Sequence, residues 1–180
     1  MTDPADLEAE SALCLQCGLC CDGTLFDTGT LEVGEDAPLP EGQIIVVERT
    51  DKRPSKREFR LPCARIDGTA CTIYPERPVA CRTFTCKLLK HFRAGETSQA
   101  DCLHRIDTAR DALRDVAAEL ELSGTPPVPR RMAIVAHLKA MQQKGELPLQ
   151  AAVKAVALEH YLDRHFRPDT SAQLVKDADR

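Results

Sequence analysis

The 180 residues, of which 43% are hydrophobic and 29% charged, have an ordinary globular composition and are enough for one compact domain. No apolar run approaches the roughly 20 residues that a membrane-spanning helix needs, and the first residues lack the basic and apolar regions of a secretion signal. We therefore predict a soluble, cytoplasmic protein without a membrane partner, in which the nine cysteines stay reduced.

The net charge of -4 conceals an uneven distribution. Residues 1–48 carry eleven acidic and no basic residues, whereas residues 49–93 carry twelve basic and four acidic ones. An acidic segment on the same chain can neutralise the basic one, and base-stacking aromatic residues are not interleaved with the basic residues. The pattern argues against nucleic-acid binding.

The first cysteine cluster is the stretch CLQCGLCC, which contains Cys14, Cys17, Cys20 and Cys21. In a tight turn, Cys-x2-Cys directs two thiolates at one ion, and Gly18 suits the positive φ that such a turn can require. In a helix, Cys14, Cys17 and Cys21 would lie within about 60° of one another and Cys20 would point elsewhere. Both geometries predict convergent metal ligands.

A β-hairpin is predicted after this cluster. The stretch QIIVVER (43–49) is rich in β-branched residues, and REFRL (57–61) can pair with it across the polar turn TDKRPSK.

The second cysteine cluster supplies four more thiols, from Cys63, Cys71, Cys81 and Cys86. Eight thiols fit two four-cysteine sites, a two-metal cluster with bridging sulfurs, or one iron–sulfur cluster with additional structural cysteines. Spacing alone leaves these alternatives open. The bacterial ferredoxin run C-x2-C-x2-C-x3-C-P is absent, which lowers the expectation of ferredoxin-like electron transfer.

A helix is predicted from Pro78 to a stop at Gly95. Cys81 and Cys86 would point about 140° apart on it, so their binding of one ion requires the helix to begin late or to break. Nearby cations would offset the negative charge of buried thiolates. The candidates are Arg65, Arg77 and Arg82, although solvated positions on the surface are equally consistent with their sequence context.

A helical tail is predicted for the remaining chain. Ser98 and Asp101 form a capping pair before a helix whose apolar positions include Cys102, which we assign to the core. After Gly124 and the stiff connector TPPVP, helices are predicted over residues 130–144 and 148–166. We therefore predict a cysteine-rich metal-chelating region at 1–95, a helical tail packed on it at 96–167, and a frayed terminus at 168–180.

The two cysteine clusters together resemble the CxxCxxCC family of zinc- or iron-chelating proteins. The resemblance rests on the C-x2-C-x2-C-C run and on LPC…CTIYPERPVACRTFTC, and it covers roughly residues 14–86. It implies metal chelation through these cysteines and leaves the metal undecided. A related cysteine region is associated with flagellin lysine methylases, but no glycine-rich cofactor loop is found in this sequence.

We thus expect an α+β fold with a short hairpin and a small helical bundle, and a metal-binding function. The cofactor would be zinc or iron, including an iron–sulfur cluster. The histidines at 91, 104, 137, 160 and 165 are assigned to helix surfaces, with His91 the best candidate for an additional ligand.

No catalytic motif is complete, so enzymatic activity stays undecided, with a non-enzyme favoured. The alternatives are an iron–sulfur redox or protein-modification enzyme, and a metal-stabilised adaptor that docks an unidentified acidic protein partner through Lys52, Arg53, Lys56, Arg57 and Arg60.

Overall fold

The computed structural model describes residues 4–32, 34–35, 39–47, 56–122 and 130–168, and it confirms the expected α+β fold. The helices are α1 (Pro4–Cys17), α2 (Val79–Thr83), α3 (Lys87–Arg93), α4 (Gln99–Glu119), α5 (Arg130–Lys144) and α6 (Leu149–His165). The strands are β1 (Thr28–Leu31), β2 (Ile44–Val47), β3 (Lys56–Arg60), β4 (Ile66–Asp67) and β5 (Ala70–Cys71), and short 3-10 helices span Glu41–Gln43 and Tyr74–Glu76. In the described ranges, no helix combines the length and apolarity needed to span a bilayer.

Two compact units divide the chain. One, called here the cysteine unit, comprises Cys14–Phe84 and Ser123–His137; the other, the helical unit, comprises Met1–Leu13, Thr85–Leu122 and Leu138–Arg180. The predicted boundaries at residues 95 and 167, and the predicted packing of the tail, stay predictions.

A three-stranded antiparallel sheet forms the framework of the cysteine unit, with β3 between β1 and β2. The pairing of β2 with β3 confirms the predicted hairpin, whose turn falls within residues 48–55 and lies outside the described residues. Strand β1 was not predicted. In its register Gly29 lies opposite Phe59, and a Cβ at Gly29 would come within 2.3 Å of the Phe59 ring. The absence of a side chain at Gly29 therefore leaves room for this ring against β1.

One apolar cluster of the cysteine unit lies beside the thiols. Its buried members are Leu31, Leu39, Phe59 and Leu61. Two cysteines, Cys63 and Cys81, are partly buried and pack against this cluster. The sheet thus places thiols from the second cysteine cluster against an apolar surface.

The helical unit is built around the packing of α4 on α6, with α3 contacting both. The buried positions of α4 recur at helical spacing and are Cys102, Ile106, Ala109, Leu113 and Val116. Those of α6 are Ala151, Ala155, Leu158 and Leu162. Cys102 has no solvent exposure, as its assignment to the core predicted.

The predicted helix between Pro78 and Gly95 is broken into α2 and α3. Phe84 and Cys86 have extended backbone conformations, with ψ of 130° and 166°. The Phe84 ring packs edge-on against Phe26 at a centroid distance of 5.0 Å. This tertiary contact holds Phe84 in an extended conformation, in which the helix cannot continue.

Helix α4 begins with the predicted capping box. The Ser98 hydroxyl accepts a hydrogen bond from the Asp101 N–H at 3.1 Å, and the Asp101 carboxylate accepts one from the Ser98 N–H at 3.3 Å. We expect Ser98→Ala to lower the free energy of unfolding of the helical unit by about 1 kcal/mol, because an N-terminal amide loses its acceptor. Urea denaturation followed at 222 nm measures this change. Ser98→Thr, which retains a hydroxyl, should lie closer to the wild type, and equal losses for both variants would contradict this account of the cap.

Candidate metal centre

The first cysteine cluster combines the two geometries that its spacing allowed. Cys14 and Cys17 lie in the last turn of α1, which ends at Cys17. Gly18 follows with φ of +67°, and its carbonyl accepts hydrogen bonds from the N–H groups of Cys21 and Asp22 at 2.9 and 3.0 Å. The first two thiols of the cluster are therefore helical, whereas Cys20 and Cys21 lie in the turn that follows.

Gly18 also brings this turn against the second cysteine cluster. A Cβ at Gly18 would stand 2.9 Å from the Cα of Thr69, in the turn between β4 and β5. In addition, the Cys63 N–H donates to the Cys21 carbonyl at 2.8 Å. The backbones of the two clusters are thus in direct contact at two points. Cys63 and Cys21 share a hydrogen bond, and Gly18 lies so close to Thr69 that a side chain at Gly18 would not fit.

Cys63 and Cys71 flank a small hairpin. Cys71 is the last residue of β5 and pairs with Ile66 of β4. The Cys63 carbonyl accepts the Ile66 N–H at 3.1 Å, and the Cys63 thiol accepts a hydrogen bond from the backbone N–H of Arg65. A peptide N–H directed at sulfur favours the thiolate over the thiol. Burial nevertheless raises the pKa of the Cys63 thiol overall, and the tight turn after Cys63 opposes this effect.

Cys81 is positioned by α2, which packs against β1. The first N–H of this helix, that of Val79, donates to Glu35 Oε1 at 2.7 Å, and the other oxygen of the Glu35 carboxylate accepts the Glu32 N–H at 2.9 Å. One carboxylate thus joins the chain after β1 to the start of the helix that carries Cys81.

Four thiols of the cysteine unit interact electrostatically with one another. They are Cys21, Cys63, Cys71 and Cys81, called here the four-thiol group. Burial is the largest cause of the raised pKa of Cys21, followed by the proximity of Cys63 and Cys81. Burial and the same kind of repulsion raise the pKa of Cys81 to about 11. Desolvation and mutual proximity therefore both disfavour the thiolates of Cys21 and Cys81 unless positive charge is present.

Positive charge is available beside two of these thiols. Arg77 lies with its guanidinium carbon 3.6 Å from the centroid of the Tyr74 ring, and its charge lowers the pKa of Cys81 against the larger effect of burial. Arg65 acts in the same direction on Cys63, whose pKa is raised overall by burial. Arg82 instead lies 3.9 Å from the carboxylate of Glu35, and half of its side chain is exposed.

The other predicted ligands have different environments. Cys14, Cys17 and Cys20 are partly buried in the cysteine unit, whereas Cys86 is buried in the helical unit at the start of α3. None of the cysteines, all of which lie in described ranges, forms a disulfide. Among the described residues, no three His, Cys, Asp or Glu side chains are already arranged as the ligands of one ion. His91, the candidate additional ligand, pairs with Glu96 in the helical unit.

The start of α5 contacts the turn that follows the first cysteine cluster. The Arg131 N–H donates to the Gly23 carbonyl at 3.1 Å, and Arg130 lies 3.6 Å from the Asp22 carboxylate. The sequence carried no signal for this contact, because the partners are far apart along the chain. Glu35, and Gln43 described below, were missed for the same reason: their hydrogen bonds to the backbone follow no sequence period.

Comparison with known proteins supports a metal-binding interpretation of these cysteines. A family model matches residues 13–103, and it is described as CxxCxxCC, a putative zinc- or iron-chelating domain. No curated protein and no solved structure matched the chain. The matched residues include both cysteine clusters and make up half of the chain. The protein therefore belongs to the CxxCxxCC family, whose description points to the binding of zinc or iron.

Proposed function

We propose that the protein binds a zinc or iron ion through the thiolates of Cys21, Cys63, Cys71 and Cys81, and that the ion stabilises the cysteine unit. The observation that carries this proposal is the direct contact between the two cysteine clusters, made by the 2.8 Å hydrogen bond from the Cys63 N–H to the Cys21 carbonyl. Family membership supports metal binding in general. The ligand set and the structural role are our proposal.

The chemistry of the four-thiol group fits such an ion. Zinc and iron both accept four cysteine thiolates, and soft sulfur donors favour them over magnesium or calcium. A divalent ion with four thiolates leaves a net charge of about -2, which the low-dielectric surroundings must offset. Arg65 and Arg77 are placed to do so. The Arg77 Nε is buried and has no hydrogen-bond partner in the described ranges. Its N–H is therefore available to donate to a thiolate.

Binding would need the four side chains to draw closer, because no three of them are arranged as ligands in the described structure. Rotation about χ1 moves a cysteine sulfur without moving its backbone, and we propose that such rotations contribute to this movement. The bound ion would then cross-link the turn after α1, the β4–β5 hairpin and α2. The Cys14, Cys17, Cys20 and Cys86 thiols, which the sequence also predicts as ligands, stay predictions.

A structural role is supported by the position of two thiols beside buried apolar side chains. Cys63 and Cys81 pack against the cluster formed by Leu31, Leu39, Phe59 and Leu61. Small domains often need a metal or disulfides to be stable. Structural zinc contributes about 10–16 kcal/mol of apparent binding free energy near neutral pH, which is comparable to the whole stability of a domain.

Titration with cobalt(II) tests the proposal, with zinc used to displace it. We expect thiolate-to-cobalt charge-transfer absorption and tetrahedral d–d bands that saturate at about one equivalent. Proton release should accompany binding in weakly buffered solution at neutral pH, because the pKa values of Cys21, Cys63 and Cys81 are raised and their protons must leave. Affinity should therefore rise with pH. Absence of charge-transfer bands, or binding without proton release, would contradict a thiolate site.

A further inference from the structure

Gln43 holds the backbone on both sides of Cys63. It is the last residue of the 3-10 helix Glu41–Gln43. Its side-chain Nε2 donates to the carbonyls of Arg60 and Pro62 at 3.1 and 2.7 Å, and its Oε1 accepts the Ala64 N–H at 3.0 Å. These three hydrogen bonds enclose the residue whose thiol belongs to the four-thiol group.

The pattern of donors and acceptors requires a primary amide. Two carbonyl oxygens face one end of the side chain and a backbone N–H faces the other. An amide group supplies two N–H donors and one carbonyl acceptor, so it satisfies all three partners. A carboxylate of the same shape would accept from Ala64 but place negative charge against the two carbonyls. The same pattern fixes which end of the Gln43 side chain is nitrogen.

These bonds act where the chain has left the sheet. Arg60 is the last residue of β3; along residues 61–64, the Leu61 N–H donates to the Asp27 carbonyl at 3.2 Å and the Cys63 N–H donates to the Cys21 carbonyl at 2.8 Å. Beyond them, the N–H of Ile66 returns to the Cys63 carbonyl and the β4–β5 hairpin begins. Gln43 therefore adds, from a distant segment, hydrogen bonds to the Arg60 and Pro62 carbonyls and to the Ala64 N–H.

We infer that Gln43 is a positioning residue for Cys63 in the metal site. This inference rests on the proposed function and extends it, because it assigns a role to a side chain that cannot itself be a thiolate ligand. Groups that orient metal ligands typically contribute a factor of about 10–100 to metal affinity. Gln43 acts through the backbone of residues 60–64, and the Cys63 thiol is the group whose placement it sets.

The experiment compares zinc affinity in wild-type protein, Gln43→Glu and the matched control Gln150→Glu, using competition with a chromophoric chelator. Gln150 is exposed on α6 in the helical unit, so the control makes the same chemical change away from the site. We expect the dissociation constant to rise about 10–100-fold in Gln43→Glu and to stay unchanged in the control. The cobalt(II) d–d bands of Gln43→Glu should also shift, which reports altered ligand geometry rather than a general loss of stability.

Equal affinities and identical cobalt spectra for Gln43→Glu and wild type would overturn this inference alone. Failure of the wild-type protein to bind either metal would overturn the proposed function, and this inference with it. If Gln43→Glu does not fold, amide hydrogen exchange of the zinc-loaded wild-type protein tests the same role of Gln43. The Ala64 amide should exchange at least about tenfold more slowly than an unstructured amide. Exchange at the unstructured rate would overturn the role of Gln43.

Discussion

Cys21→Ser is expected to lower zinc affinity by more than about a hundredfold, because even groups that only orient ligands contribute a factor of about 10–100. Cys21 is the member of the four-thiol group that the first cysteine cluster supplies, and it interacts electrostatically with the other three members, Cys63, Cys71 and Cys81. A serine hydroxyl keeps the size of the side chain but does not deprotonate to give a soft sulfur ligand. Chelator competition measures the change, and thermal unfolding should show a loss of zinc-dependent stabilisation.

Two serine variants serve as controls for Cys21→Ser. Cys102→Ser changes a thiol in the core of the helical unit, so it should retain zinc even if the fold is destabilised. Cys20→Ser changes the adjacent thiol, which is outside the four-thiol group and should also leave zinc bound. Loss of zinc in Cys20→Ser would instead favour the broader ligand set expected from the sequence. Full zinc binding by Cys21→Ser would contradict the proposed site.

Gly18→Ala is expected to destabilise the cysteine unit by on the order of 2–3 kcal/mol and to weaken zinc binding. Two costs combine at this position. A φ of +67° is unfavourable for alanine, and the new Cβ would lie 2.9 Å from the backbone Cα of Thr69. Backbone atoms cannot rotate away as the end of a side chain can, so the contact between the two cysteine clusters must open. Chemical denaturation and chelator competition measure the two effects.

Gly68→Ala is the matched control, because it separates the cost of a positive φ from the cost of the steric clash with Thr69. Gly68 lies in the β4–β5 turn and also has a positive φ, of +58°, but a Cβ there would meet nothing within 4 Å. It should therefore carry the conformational cost alone, about 1 kcal/mol, and bind zinc almost normally. Equal effects of the two substitutions on zinc affinity would show that the approach of Gly18 to Thr69 does not hold the clusters together.

Local sequence signals predicted those elements whose ends are set by neighbouring residues. The Ser98 and Asp101 capping pair marks the start of α4, and Pro148 marks that of α6. The β-branched run at 44–47 and the pairing with β3 were likewise apparent, since β-branched composition and turn composition are local properties.

The missed elements depend on contacts that a local pattern does not contain. Helix α1 has no marked apolar stripe in PADLEAESALCLQC, so helical periodicity gave no signal there. Strand β1 is short and contains a glycine, and its register depends on the ring of Phe59 from β3. The break between α2 and α3 reflects the packing of Phe84 on Phe26. Tertiary contacts overrode local preference in each case.

The candidate site shows the same division. The residue types and the x2 spacing of CLQCGLCC indicate metal ligands because thiolates at such spacing can converge on one ion. Spacing could not show that Cys21 interacts with Cys63, Cys71 and Cys81, since that depends on how the chain turns after Gly18. Nor could it identify Gln43, whose partners lie on residues 60–64.

The most direct test of metal binding by this protein is the metal content of untagged chain purified without oxygen, determined by mass spectrometry together with an absorption spectrum. We predict about one zinc or iron ion per chain, without labile sulfide, as expected for a four-thiolate site. Iron together with labile sulfide would show that the protein holds an iron–sulfur cluster instead of a single ion. Protein without metal, with disulfides among Cys21, Cys63, Cys71 and Cys81, would contradict the central claim.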